Sequence, residues 1–164
     1  MPRGIESDTN LQPLKRSRRK PKAGDVFAMR LLDGSHLFGR VIGAELPRER
    51  APMPGSYLIY IYDHPSADTT PDPDALVPER LLIPPTFINR MPWTKGYFET
   101  VMHSPLARDD LLEQHCFRYN QQTYVDERGR PRRWRVEPCG EWGLASYRFV
   151  DDRISDAIGV PRAP

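Results

Sequence analysis

Eighteen prolines are spread through the 164 residues. Pro52, Pro54, Pro65, Pro71, Pro73, Pro78, Pro84, Pro85 and Pro92 punctuate one stretch too closely for long helices. Each proline removes a backbone donor and crowds the preceding turn. Short strands joined by turns are what such a chain can build. Gly24-Asp25-Val26-Phe27-Ala28-Met29, the turn Asp33-Gly34 and the run Phe38-Gly39-Arg40-Val41-Ile42 read as a β-hairpin with strands at 25–31 and 37–44. Further strands are expected at 57–62, 81–83, 87–89 and 97–102, with loops at 45–56 and 63–79. The run Tyr57-Leu58-Ile59-Tyr60-Ile61-Tyr62 is apolar on both faces, as a central strand covered on both sides would be. Tyr124-Val125 and Trp134-Arg135-Val136 flank Asp126-Glu127-Arg128-Gly129 as a second hairpin with a polar tip.

Helical patterning comes late. Ser104-Pro105, then Asp109 and Asp110 before Leu111 and Leu112, predicts a short helix ending near His115. Asp151 to Ile158 predicts a second, with Ile154, Ala157 and Ile158 on one face, acids at its start, and Gly159 and Pro161 as stop signals. The expected fold is α+β and β-rich. It is a single domain over 23–161, built on a strongly bent antiparallel sheet or a small SH3-like barrel with one or two short C-terminal helices. Gly24 and Asp25 start the first strand, Gly34 serves the turn, and Gly39 allows close packing or a bulge.

The order of these features resembles the immunity protein 26 family of bacterial polymorphic toxin systems. The resemblance runs on through Pro92-Trp93-Thr94-Lys95-Gly96-Tyr97-Phe98, His115-Cys116-Phe117 and Cys139-Gly140-Glu141-Trp142-Gly143-Leu144-Ala145-Ser146-Tyr147 to Ile158-Gly159-Val160-Pro161. It implies a non-catalytic inhibitor that binds and neutralises a protein toxin, with a nuclease as one option, and needs no cofactor.

Charge divides the chain unevenly. The net charge is +2. Residues 1–22 carry seven basic residues against Glu6 and Asp8, or +5, which leaves 17 basic and 20 acidic residues and −3 for the remainder. This tail is expected to lie outside the fold as a basic, disordered segment. No apolar run long enough for a membrane span or a secretory signal is present, so a cytoplasmic protein without membrane contact is expected. Cys116 and Cys139 are read as two buried thiols of a reducing compartment.

The chain has no GxSxG, Gly-rich phosphate loop, HExxH or CxxC, so neither catalytic nor metal residues are assigned. His115 and Cys116 are adjacent and would point to opposite sides of an extended segment. Two acidic groups, Asp109 with Asp110 and Glu113, and Asp151 with Asp152 and Asp156, are candidate contacts for a basic partner, as is Glu141. The same residue types also serve as helix caps. Trp93 and Trp142 are either loop and core anchors or exposed contacts of the kind that dominates interface energetics. The segment Arg128-Gly129-Arg130-Pro131-Arg132-Arg133-Trp134-Arg135, together with the basic tail, supports the alternative of a small β-barrel that binds nucleic acid.

Overall fold

The computed structural model describes residues 8–164, and the sequence expectations for 1–7 lie outside them. The core is a six-stranded sheet of β1 (Asp25–Arg30), β2 (His36–Leu46), β3 (Ser56–Tyr62), β4 (Leu81–Ile88), β5 (Glu99–His103) and β10 (Leu144–Ala145). Across the sheet they lie in the order β10-β4-β3-β2-β1-β5. β1 and β2 form the expected hairpin, with Val26 opposite Arg40 and Met29 opposite Leu37. β3 is buried at all seven positions, as its apolar run implied. Alternation along β3 divides the core. Tyr57, Ile59 and Ile61 face Leu11, Trp93, Phe98, Val150 and Ile154, whereas Tyr60 and Tyr62 face Phe38 and Leu76. The sheet is open, with β10 and β5 as its two edges, rather than a closed barrel, and it is antiparallel except where β10 pairs parallel with β4.

A second sheet joins β6 (Cys116–Arg118), β7 (Tyr124–Val125), β8 (Pro131–Arg132) and β9 (Cys139–Glu141), in the order β8-β7-β6-β9. It packs on the first through Phe87, Phe117, Val125 and Trp142. The fold is α+β, β-rich and a single domain, with α1 (Met91–Lys95) and α2 (Tyr147–Ile158).

Several expectations change. Strands foreseen at 81–83 and 87–89 are one, because the pairing with β3 shifts register between Ile59–Thr86 and Ile61–Ile83 and a bulge takes up Pro84 and Pro85. The helix expected over 105–115 is a single 3-10 turn, Arg108–Asp110. Side chains satisfy the backbone there: the Arg40 guanidinium donates to Ser104 O, and Leu112 N donates to the Tyr60 hydroxyl. The second hairpin closes at Arg132 rather than at 134–136, which leaves Trp134 66% exposed.

α2 starts four residues before the expected position. Ser146 is its N-cap, accepting from Phe149 N, and this moves Asp151 from the first turn into the helix interior. Residues 8–22 are packed on the domain rather than standing outside it. Leu11 is buried at 2% exposure, and Gln12 N, Leu14 N and Ser17 N donate to the carbonyls of Arg30, Gly96 and Trp93. A buried leucine and main-chain bonds to β1 and to α1 with its C-cap outweigh the polar composition of the segment.

Candidate functional site

Most of the acidic residues expected to face a partner are already engaged within the chain. Asp110 lies 3.2 Å from the buried Arg40 guanidinium and accepts from Ala107 N at 2.7 Å. Asp151 is 1% exposed and accepts from Asn10 N and Leu11 N at 2.9 and 2.8 Å. Burial raises its carboxyl above the usual range, with the two N–H donors opposing that rise. Buried and doubly bonded, Asp151 is a clamp on the N-terminal segment and does not face a partner. Asp156 is gripped by both nitrogens of an Arg162 fork at 3.0 and 2.7 Å, and the hydrogen bonds hold its carboxyl low. Glu141 pairs with Arg118 at 3.1 Å. Asp109 and Glu113, both exposed, and the half-buried Asp152 have no ion-pair partner among the described residues.

Neither tryptophan marked in the sequence is openly exposed. Trp93 is 1% exposed, edge-on to Phe27 and Phe98 at 5.3 and 5.1 Å. Trp142 is half-buried against Phe87 at 5.2 Å, and Gly129 of the β7–β8 turn comes close to its ring. Among the start-of-strand residues, Asp25 is fully buried. It accepts from His103 Nδ1 at 2.7 Å and Lys22 N at 2.9 Å, and Arg19 stands 3.8 Å away. Gly24 and Gly34 have φ of +95° and +86°.

A concavity of about 530 Å3 lies between β9, β10 and the first turns of α2. Ile83, Leu144 and Phe149 give it an apolar floor, while Arg135, Glu137 and Arg153 stand around it. Arg135 and Glu137 neutralise each other at 2.5 Å. Arg153 lies 4.8 Å over the Phe149 ring and has no carboxylate partner among the described residues. Leu144 and Phe149 are 37% and 38% exposed. Volume and lining suit one inserted side chain or a short segment. Sequence reading misses this groove because Ile83 of β4 joins Leu144 and the helical pair Phe149 and Arg153 only through the parallel pairing of β10 with β4.

On the other side of β3, buried Tyr60 and His115 and the partly exposed Glu127 form a polar chain. The Tyr60 hydroxyl meets His115 Nε2 at 2.5 Å, and His115 Nδ1 is 3.7 Å from Glu127. Burial pushes the Tyr60 hydroxyl up to about 12 and the His115 imidazole down. Cys116 turns away from this chain toward Cys139 across the parallel β6–β9 pair. Both thiols are buried and free, with sulfurs 2.7 Å apart, and burial together with the neighbouring thiol raises Cys139. Among the described residues, no group of three His, Cys, Asp or Glu is placed to hold a metal, and no helix is long and apolar enough to cross a membrane.

A β-rich domain with a partly apolar groove, edged by one paired and one unpaired arginine, has the make-up of a binding protein. The model of the family described as immunity protein 26 matches residues 22–125, from the start of β1 to the end of β7. The chain belongs to that family, and membership implies binding of a protein toxin. No curated protein and no solved structure matches it.

Proposed function

We propose that this chain is the cytoplasmic immunity partner of a bacterial polymorphic toxin and neutralises it by covering the toxin's surface, without catalysis. Family membership across the central sheet carries the reading. In this proposal the groove between β9, β10 and α2 receives the anchor of the complex, an apolar side chain of the toxin seated on Leu144 and Phe149 with a carboxylate beside it on Arg153. Two features support that placement: exposed apolar surface in a concave setting, and an arginine without an internal partner. Asp109 and Glu113 remain available to basic residues at the rim, as a nuclease toxin would present.

Co-expression with the product of the adjacent reading frame tests this function. Rescue of growth and a 1:1 complex on size exclusion are expected. Growth arrest that persists despite soluble, folded protein would refute it.

A further inference from the structure

The basic N-terminal segment takes no part in the proposed toxin contact, and its placement gives it a use of its own. Six of the eight residues 15–22 are Lys or Arg. The main chain is held on the domain by Leu14 N to Gly96 O, Ser17 N to Trp93 O and Lys22 N to the Asp25 carboxylate. The cationic side chains consequently face solvent from a fixed base. Lys15, Arg16, Arg18, Arg19, Lys20 and Lys22 are all exposed.

Two of the six are partly committed, Lys20 to Glu45 at 2.9 Å and Arg19 toward buried Asp25 at 3.8 Å. The other four have no ion-pair partner among the described residues. Lys15, Arg16, Arg19 and Lys20 line a concavity of about 170 Å3 with the hydroxyls of Ser17 and Thr100. Glu99 and the engaged Asp25 are the acids on its wall, so the cations outnumber them two to one.

We infer that residues 15–22 are a docking strap for the phosphate backbone of nucleic acid, bound without regard to sequence. Because the strap is already ordered, binding does not have to restrict a disordered tail, and the charges act together at one place on the surface. Its chemistry favours phosphate over an acidic protein. Protein interfaces are centred on aromatic or aliphatic anchors and are depleted in lysine. The run from Lys15 to Lys20 contains no apolar side chain. Lysines and arginines without base-reading partners are the residues that position a protein on phosphates.

The test is fluorescence anisotropy of a labelled 20-base-pair DNA duplex with the full chain over roughly 50–200 mM NaCl, the range in which counterion release is steep. The expected result is binding whose log-affinity falls linearly with log salt and is the same for two unrelated sequences. Lys15→Gln/Arg18→Gln/Lys22→Gln alters three exposed, unpaired side chains. It should weaken binding and flatten the slope by about 3, at about 0.9 for each phosphate no longer neutralised. Should that variant fail to fold by circular dichroism, Lys15→Gln/Lys22→Gln should flatten the slope by about 2. Arg128→Gln/Arg130→Gln/Arg133→Gln should leave it unchanged. The assignment is overturned by no binding at the lowest salt, by an unchanged slope in the folded strap variants, or by loss of binding in the 128–133 variant instead. Poly-glutamate that competes as well as unlabelled duplex would also overturn it, in favour of an acidic protein.

Discussion

Gly39 lies against Phe27, whose ring fills the space a side chain would need. A Cβ there would collide with that ring and come within 2.8 Å of Tyr60 O. Gly39→Ala should destabilise by about 1–3 kcal/mol through overpacking, read as a lower melting temperature. Gly34 differs in cause. Its surroundings are empty within 4 Å, but its φ is +86°. Gly34→Val should also cost about 1–3 kcal/mol, from backbone strain, while Gly34→Asn, which tolerates the left-handed region, should cost less.

His115 gives the residue-scale pH dependence. Burial lowers its pKa below the unfolded value near 6.5. Between the folded pKa and 6.5 the unfolded chain therefore holds a proton that the folded chain does not. Stability rises with pH across that window and falls on acidification below 6.5. Urea midpoints measured from pH 7.5 to 5 should decline for the wild type and flatten in His115→Gln.

Elements built from local signals are legible in the sequence, and those fixed by distant residues are not. The β1–β2 hairpin and the doubly buried β3 follow from turn chemistry and apolar pattern within a few residues of each other. The bulge that accommodates Pro84 and Pro85 depends on the register with β3, which no local pattern sets. α2 begins earlier than its pattern suggests because Asp151 resembles a first-turn acid, whereas Ser146 is the cap. The order in residues 8–22 depends on partners at positions 30, 93, 96 and 151, so composition alone suggests disorder. The groove is invisible for the same reason. It is assembled by β9, β10 and α2, and its apolar residues show no periodicity of their own.

Asp151 ties two of these elements together, and removing it makes a prediction at that scale. Asp151→Ala leaves the amides of Asn10 and Leu11 without their acceptor, at a cost of about 2–4 kcal/mol. It should loosen residues 8–12 before the sheet melts. Brief chymotrypsin treatment reads this directly at Leu11, which is buried in the wild type. Wild-type protein should resist cleavage after Leu11 while the sheet is folded, and Asp151→Ala should be cut there with the remainder intact. Rapid cutting of both proteins would show that the clamp does not hold the segment.

Across the whole molecule, charge is arranged on separate surfaces, and this decides how an interface can be tested. Reversing Asp110 or Asp151 would break a pair with buried Arg40 or the clamp on residues 10 and 11, so lost binding would report damage to the fold. Asp109 and Glu113 are exposed and unpaired, which makes Asp109→Lys/Glu113→Lys a cleaner probe of rim electrostatics. Against a basic toxin it should slow association at low salt, and the difference should shrink as salt screens it. The groove should act on the other rate. Phe149→Ala removes the apolar floor under Arg153 and should speed dissociation, at about 2 kcal/mol or more for a buried anchor. Arg153→Gln should do the same to a smaller degree. Surface plasmon resonance across a salt series separates the two. Dissociation unchanged in both groove variants, with melting temperatures near wild type, would show that the toxin does not dock between β9, β10 and α2.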